Sequence, residues 1–472
     1  MADVDELTPT KWAPFKENTV TEKIYNVLVE EYPDVYSKAL TPGGTIDEIV
    51  DILEHKPEFK SFKTHNNHEV AMQEAISFAG LGVIQTIIEK YDNPDKGEVV
   101  QDIGYNSNHL LVVDTSQRKF VYHEGDLDPH INIQYINILI DRMAQKDGLN
   151  GKSFVEDNPL FNGDTFIGHG DDRIYLRISA THRSISPNGP TLSIRVSRPY
   201  LALTPDNFYT MAPIEILKLL NVFVKAHTSI VLSAETGAGK TELQKLLLGF
   251  VPFEDRIVLV EDTDEMHLPA IYPDKDIFSW VSNAGIVVDK RPINTTRLIE
   301  QSLRTNPKWL VIAESRGAEA YELISGARSG HPIITTLHAT SNQAVPSRFI
   351  GMAAMEYSFD ERMLERDILT YINIGIHLTV KASATGRKIR FIDQIVEYTP
   401  DTKNYPDGTN ILFEQHIRND GYREFWKGKP TQRLLDQIHR ELDINLNVNT
   451  NSKDNLRTEK VYDVEEGKGL WR

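Results

Sequence analysis

Eight consecutive residues near the middle of the chain have the types and spacing of a phosphate-binding loop. They run Ala234-Glu235-Thr236-Gly237-Ala238-Gly239-Lys240-Thr241, after an apolar run and before a helix-like segment. Glycines let backbone N–H groups curl around a polyphosphate without Cβ clashes. In such a loop Lys240 reaches the terminal phosphates, Thr241 binds Mg²⁺, and the helix N-terminus adds positive potential. The pattern predicts a nucleotide site, with an ordinary glycine-rich turn as the alternative.

Carboxylates follow two later apolar runs. Glu261-Asp262-Thr263-Asp264-Glu265 comes after Ile257-Val258-Leu259-Val260, and Ala313-Glu314 comes after Trp309-Leu310-Val311-Ile312. Ligands of open α/β sheets bind at the carboxyl ends of strands. Acidic groups at those ends can hold Mg²⁺ or orient the water that attacks a γ-phosphate. For the first group, a solvated acidic turn is the alternative.

One histidine ends a further apolar run. His338 follows Ile333-Ile334-Thr335-Thr336-Leu337, where it could hydrogen-bond a γ-phosphate and sense its loss. A single histidine at a strand end is usually structural, so this position gains meaning only from the motifs around it.

Taken in order, these motifs resemble those of the ring-shaped ATPases of type II and type IV secretion, conjugation and pilus assembly. That family has a Walker A box, an Asp box, a Walker B box and a His box. Residues 234–241, 260–262, 314–317 and 330–339 match them in sequence. Looser matches at 80–82, 102–106 and 188–195 extend the resemblance to about residues 75 to 398. Ala234, Glu242 and Ala313 depart from the usual residues, but no charged catalytic group is missing.

The resemblance implies a role for each matching residue. Glu261 is expected to polarise the attacking water, with Glu314 as the second candidate, and Thr241 and Glu314 are expected to serve Mg²⁺. His338 is expected to report the γ-phosphate. The residues implied in ATP binding are Thr236, Gly237, Ala238, Gly239, Lys240, Thr241 and Glu242.

Arginines complete the set of expected site residues. Arg177 and Arg195 are expected to approach the phosphates in the manner of arginine fingers. Salt bridges at strand ends are the alternative for both. Arg304 and Arg316 are assigned to the site or to a ring interface, and the sequence does not separate those roles.

The elements that position these residues define the expected fold. Apolar runs near residues 230, 257, 309 and 333 suit parallel strands that are buried on both faces. We therefore predict an α/β, RecA-like P-loop domain over 207–440, preceded by an α+β domain over 76–198. Residues 1–75 are predicted to be a helical extension, 199–206 a linker, and 441–472 a polar, mobile tail. The stretch 75–88 is predicted to be a buried helix, being too short to span a bilayer.

Bulk composition limits the classes of function. The 472 residues carry a net charge of −17 and no cysteine. Disulfides, thiol nucleophiles and thiolate metal sites are thereby excluded, and stable nucleic-acid binding is not expected. The acidic N-terminus has no apolar signal core, which fits a cytoplasmic protein held at the membrane only through partners. His65 and His68, three residues apart, are interpreted as a polar helix start because further metal ligands are not obvious nearby.

The predicted function is an ATP-hydrolysing motor for secretion, conjugative transfer or pilus assembly. The resemblance implies a homo-hexamer that docks on inner-membrane platform or coupling proteins. Two alternatives remain at this point: a nucleic-acid translocase or helicase with the same fold, and a nucleotide-gated scaffold that does not hydrolyse ATP.

Overall fold

The hydrophobic cores of the chain fall into two sets, one on each side of the boundary after Ser197. The computed structural model describes residues 20–39, 46–92, 98–122, 133–146, 154–168, 173–288, 290–382, 388–444, 446, 450 and 456–461. The chain forms two compact units, Met1–Ser197 and Arg198–Arg472.

The first unit combines helices with an antiparallel sheet. Its helices are α1 (Val20–Glu31), α2 (Pro33–Ala39), α3 (Asp47–His55), α4 (His68–Phe78), α5 (Val83–Tyr91) and α6 (Ile133–Lys146). Its strands are β1 (Val100–Tyr105), β2 (Leu111–Thr115), β3 (Lys119–Val121), β4 (Leu160–Ile167), β5 (Ile174–Thr181) and β6 (Thr191–Ser197). Among the described residues the strand order is β3-β2-β1-β6-β5-β4.

Strand periodicity explains which face of this sheet is covered. Along β6 buried residues alternate with exposed or half-buried ones, as expected for a strand with one face on a core. The buried face packs with α5 and α6 in one core, while α1 to α4 contribute to a separate cluster. The predicted α+β character of this region is confirmed.

One predicted helix is wrong in detail. The stretch 75–88 is split, because α4 ends at Phe78 and α5 begins at Val83. Gly82 between them has a φ of +53°, in the left-handed region, and a Cβ there would lie 2.3 Å from Tyr135 Oη. That oxygen accepts the N–H of Val83 at 2.9 Å. Glycine therefore permits both the turn and the contact that starts α5.

Within its described residues, the second unit has a ten-stranded mixed sheet with helices on both faces, and a separate antiparallel pair of strands, Asn283–Val288 and Arg291–Ile293. Its helices are α7 (Ile214–Lys225), α8 (Lys240–Leu248), α9 (Leu268–Ile271), α10 (Thr295–Ser302), α11 (Glu319–Arg328), α12 (Val345–Ala353), α13 (Glu361–Tyr371) and α14 (Gln432–Leu442). Its strands are β7 (Ile230–Ala234), β8 (Ile257–Glu261), β9 (Ile277–Val281), β10 (Asn283–Val288), β11 (Arg291–Ile293), β12 (Trp309–Ile312), β13 (Ile333–Leu337), β14 (Ile374–Ala382), β15 (Lys388–Tyr398), β16 (Thr409–Ile417), β17 (Tyr422–Lys427) and β18 (Arg457–Lys460).

Continuous apolar runs account for the centre of this sheet. The order is β18-β17-β16-β15-β14-β7-β13-β12-β8-β9, and the pairs from β14 to β9 are all parallel. Strands β7, β8, β12 and β13 are buried at every residue, since helices cover both faces. All four predicted strands are confirmed, and so is the α/β fold class.

The antiparallel half of the sheet was not predicted. Strands β15 to β18 extend it beyond β14 by antiparallel pairing. The last of them, β18, lies within the stretch that the composition assigned to a mobile tail. The proposed division into five segments is otherwise kept as a prediction.

Candidate functional site

The predicted phosphate loop lies between a buried strand and a helix. It leaves β7 at Ala234 and enters α8 at Lys240. Gly237 and Gly239 have φ values of +77° and +94°, and Gly239 is the N-cap of α8. A Cβ on Gly237 would meet nothing within 4 Å, so glycine is required there for its backbone conformation and not for space. A loop of this curvature can direct N–H groups toward an anion, which is the role that the sequence predicts.

Lys240 is the buried cation of this loop. Its residue exposure is 8%, and Nζ donates to the carbonyl oxygens of Ala234 and Glu235, each at 3.3 Å. Nζ also lies 3.3 Å from Nδ1 of His338, at the end of the adjacent strand β13. An ammonium only donates, so Nδ1 is the acceptor and a neutral His338 carries its proton on Nε2.

His338 connects the lysine to the carboxylate that follows β12. His338 Nε2 lies 3.1 Å from Oε1 of Glu314, within ion-pair distance, although Oε1 has no aligned hydrogen-bond partner. Glu314 Oε2 accepts from Arg316 at 2.6 Å. Burial lowers the pKa of His338, and the Lys240 charge adds to that effect. The neutral ring thus lies between a cation and an anion.

The two candidate catalytic carboxylates have opposite electrostatic environments. Burial acts to raise the pKa of Glu314, but Arg316, His338 and Lys240 together bring it below its ordinary value. Burial raises the pKa of Glu261 to about 8, and Asp264 adds to the rise. One carboxyl is held ionised and the other favours the neutral form, a separation typical of divided acid–base roles.

Glu261 is almost fully buried at the end of β8. Its exposure is 1%, and Oε1 accepts the N–H groups of Glu265 and Met266 at 3.3 and 3.1 Å. Oε2 has no hydrogen-bond partner. A buried polar atom without a partner is uncommon and marks a place where a ligand or water can bind. The acidic turn after β8 is therefore organised around Glu261.

Side-chain hydrogen bonds hold the ends of the central strands together. Gln244 of α8 is fully buried, and its Nε2 donates to Ile312 O at 3.0 Å and Ile334 O at 3.4 Å. Thr336 Oγ1 donates to Ala313 O at 2.8 Å, beside Glu314. These contacts fix the P-loop helix against the strands that carry Glu314 and His338.

Not every predicted residue is brought to this cluster. Thr241 lies half-buried in the first turn of α8, and Thr236 is exposed at the loop tip. Glu242 accepts the N–H of Ala202 at 3.0 Å and Lys245 Nζ at 3.1 Å, so it contacts the segment that follows the unit boundary. Arg304 lies exposed in the turn after α10, whereas Arg316 joins the site through Glu314.

Arg177 and Arg195 lie in the sheet of the first unit. They are directly opposite each other on β5 and β6, with Asp164 opposite Arg177 on β4 and Asp102 opposite Arg195 on β1. Register partners point to the same face of a sheet, so these four charges form one row on the face away from the core. The row brings the two arginines together, and their role toward a nucleotide stays a prediction.

The histidine pair 65/68 has a structural role. Asn67 caps α4 by accepting the N–H of Val70 at 3.3 Å, and His68 Nδ1 lies 3.0 Å from Glu54 Oε2. Within the described residues, three or more histidine or carboxylate side chains are nowhere grouped as a metal site. Helix α4 begins at His68 with Asn67 as its N-cap, so the interpretation of this stretch as a polar helix start is confirmed.

One residue that the sequence analysis missed contacts the loop directly. Arg390 of β15 donates from Nε to the carbonyl oxygen of Gly237 at 2.8 Å. It is 153 positions away from Gly237 in sequence, within a strand of mixed polar and apolar residues. No motif marks it, and only the pairing of β15 with β14 brings it to the loop.

A family model and several known proteins match this chain. The model of the family described as "Type II/IV secretion system protein" matches residues 169–416. An uncharacterized protein of Bacillus anthracis is 34% identical over 429 residues, covering 88% of this chain and 89% of its own. The type IV secretion system protein VirB11 of Brucella suis is 32% identical over 197 residues, covering 40% of this chain and 52% of its own.

A solved structure shows the same fold. The ATPase DotB of Yersinia pseudotuberculosis superposes with a TM-score of 0.50 at 16% identity, covering 72% of this chain and 83% of its own. The family match includes more than half of the chain, with both the phosphate loop and the carboxylate-bearing strands. The chain therefore belongs to the type II/IV secretion system protein family, and its second unit is the RecA-like domain of that family.

Within the described residues, no helix is long and apolar enough to cross a membrane.

Proposed function

We propose that this protein is an ATP hydrolase that couples turnover to secretion, conjugative transfer or pilus assembly. The observation that carries the proposal is the contact chain from Lys240 through His338 to Glu314. It joins the ends of three neighbouring parallel strands, β7, β13 and β12. A P-loop lysine beside a histidine and a carboxylate is the combination needed to bind a triphosphate and respond to its γ-phosphate.

Each residue has a proposed part in turnover. Lys240 neutralises charge on the β- and γ-phosphates in place of its contacts to Ala234 and Glu235. Glu261 accepts a proton from the water that attacks the γ-phosphorus, supported by its raised pKa and its unpartnered Oε2. His338 hydrogen-bonds the γ-phosphate before hydrolysis and loses that partner afterwards.

Thr241 and Glu314 are the proposed groups that serve Mg²⁺. A hydroxyl and an ionised carboxylate are oxygen donors of the kind that Mg²⁺ prefers, and Glu314 is held in its charged form. When bound, the ion neutralises developing charge on phosphate oxygens. The remaining loop residues, from Thr236 to Glu242, are proposed to enclose the phosphates.

The proposed setting is a homo-hexamer at the cytoplasmic face of the membrane, attached through platform or coupling proteins. Membership in the family and the similarity to VirB11 support this part of the proposal. We further propose that Arg177 and Arg195 supply positive charge during turnover.

Measurement of Mg²⁺-dependent phosphate release tests the proposed activity. Lys240→Ala is expected to abolish turnover, because it removes the buried cation that faces the phosphates. Glu261→Gln is expected to keep nucleotide binding and to lower kcat by roughly 100-fold or more, since it removes the proton acceptor. Lys225→Ala, at an exposed lysine that ends α7, is the matched control. Unchanged turnover in both site variants would refute the proposal.

A further inference from the structure

A β-bulge in the hairpin of β14 and β15 decides which side chain reaches the phosphate loop. His377 pairs with Gln394 and the next residue, Leu378, pairs with Ile392, so Asp393 is an extra residue in β15. A one-residue insertion reverses the face of every residue beyond it. In agreement, Ile392 and Ile395, three positions apart, both lie in the core that contains α7 and α8.

A hydrogen bond from a buried histidine stabilises this bulge. His377 Nδ1 donates to Asp393 Oδ1 at 2.7 Å, and His377 is only 7% exposed. The pair stands on the helix α12 side of the sheet, where Gln394 accepts from Asn342 at 3.2 Å. Because Asp393 faces this side, Ile392 and Arg390 face the opposite side, on which the phosphate loop leaves β7.

The register then places Arg390 level with the loop. Leu378 is opposite Ala234, the last residue of β7, and Val380, two residues further along, is opposite Arg390. The Arg390 side chain lies beside the loop. A Cβ added to Gly239 would be 3.7 Å from Arg390 Cδ. Its Nε donates to Gly237 O at 2.8 Å.

That hydrogen bond fixes the orientation of a peptide in the loop. The C=O and N–H of a trans peptide point in opposite directions, so holding Gly237 O on Arg390 turns the Ala238 N–H to the other side. Gly237 and Gly239 both have positive φ, and peptides next to glycine reorient at low cost. Without a partner for Gly237 O, the Ala238 N–H would not be held in one orientation.

We propose that Arg390 is a positioning residue that holds the Gly237–Ala238 peptide in its phosphate-binding orientation, and that the His377–Asp393 pair sets the register on which this contact depends. The inference rests on the proposed function of residues 234–241 as a nucleotide site. Arg390 acts through the loop backbone, and the β14–β15 hairpin thereby becomes part of the nucleotide site.

Two substitutions separate a directed hydrogen bond from simple positive charge. Arg390→Gln keeps an N–H donor at the bond position of Nε but removes the charge, whereas Arg390→Met keeps a similar length without a donor. Titration of the full chain with a fluorescent ATP analogue should give about a tenfold weaker affinity for Arg390→Met. Arg390→Gln should stay within about threefold of wild type, since its donor remains. Arg418→Met, at an exposed arginine in the turn between β16 and β17, should change nothing.

The register part of the proposal predicts non-additive effects. Asp393→Leu should weaken ATP binding about as much as Arg390→Met, and the double variant should be no weaker than either single one. Asp393→Asn, which keeps an acceptor oxygen and is the conservative variant for folding, should bind normally. Equal losses in Arg390→Gln and Arg390→Met, or additive losses in the double variant, would overturn the proposal.

Hydrogen exchange of the nucleotide-free chain distinguishes this inference from the proposed function. Loop amides 235–240 should exchange faster in Arg390→Met than in Arg390→Gln, whether or not the wild type hydrolyses ATP. Wild type that fails to bind ATP would refute the proposed function, while unchanged exchange in Arg390→Met would refute the role of Arg390 alone.

Discussion

At the scale of single residues, burial is what distinguishes the two carboxylates of the site. Glu261 and Glu314 follow similar apolar strands in sequence, yet Glu314 accepts from the Arg316 guanidinium, whereas Glu261 accepts only from backbone N–H groups. Glu314 is accordingly held in its charged form, which suits an ion ligand. Glu261 has a pKa of about 8, so its ionised form is a stronger base than an ordinary carboxylate, which suits a proton acceptor.

The raised pKa of Glu261 predicts a pH dependence of turnover. A base with a pKa of about 8 is mostly protonated at pH 6, so kcat should rise by about tenfold per pH unit below that value and level off above it. The measurement is phosphate release between pH 6 and 9 with saturating ATP and Mg²⁺. A flat profile in wild type would show that Glu261 is not the group that titrates.

The raised pKa of Glu261 also affects stability, which is expected to fall with rising pH while turnover rises. The folded state binds the Glu261 proton more tightly than the unfolded state, so the free energy of unfolding falls as the pH rises from about 4.5 to about 8. Glu261→Gln cannot ionise and should lose less stability over that range. Denaturant titrations of both proteins at pH 6 and pH 8.5 provide the comparison.

At the scale of elements, helix α8 is joined to two strands by one buried side chain. Gln244 donates to the carbonyl groups of Ile312, at the end of β12, and Ile334, near the start of β13. These two strands precede Glu314 and His338. Helix α8 also begins at Lys240, so its position sets the distance from the lysine to both residues. A displacement of α8 would therefore alter the whole contact chain.

Replacement of Gln244 by leucine tests this connection. Leucine has a similar volume but no donor, so the free energy of unfolding should fall by about 1–3 kcal/mol. Chemical denaturation followed by tryptophan fluorescence measures the loss, because Trp309 lies in the same core. Gln432→Leu, at an exposed position of α14, is the control and should shift the midpoint little. Equal shifts in both variants would mean that the Gln244 contacts contribute nothing specific.

At the scale of the whole molecule, the second unit contains the complete contact chain from Lys240 to Arg316. Its two large cores are formed by residues between Leu203 and Leu442, all on one side of the boundary at Ser197. The proposed arginines, Arg177 and Arg195, belong to the first unit. ATP binding is therefore expected to need only the second unit, whereas rapid turnover is expected to need the two arginines of the first unit as well.

A fragment of residues 198–472 tests this division. It should unfold cooperatively and bind ATP with near-normal affinity, because its cores and its P-loop are intact. Its turnover should be slower than that of the full chain by roughly 100-fold or more, as expected when arginines that assist phosphoryl transfer are absent. A full chain with both Arg177→Ala and Arg195→Ala should match the fragment. Full turnover in that double variant would show that the two arginines take no part in phosphoryl transfer.

Local features of this protein could be predicted from its amino-acid sequence alone. Four apolar runs predicted the central parallel strands, because strands covered by helices on both faces have few polar residues. The loop 234–241, together with Glu261, Glu314 and His338, indicated the family, since each motif stands at the end of such a strand. These inferences depend only on neighbouring residues and on their order.

The way in which distant residues combine depends on the tertiary structure. The opposite pKa shifts of Glu261 and Glu314 depend on burial and on charges from other strands, which local patterns do not encode. Arg390 reaches the phosphate loop because a one-residue bulge at Asp393 turns it to that face, and sequence gives no sign of the insertion. The break at Gly82 likewise follows from a contact with Tyr135, 52 positions beyond Val83. Register and burial are properties of the packed sheet, so they emerge only once the chain is folded.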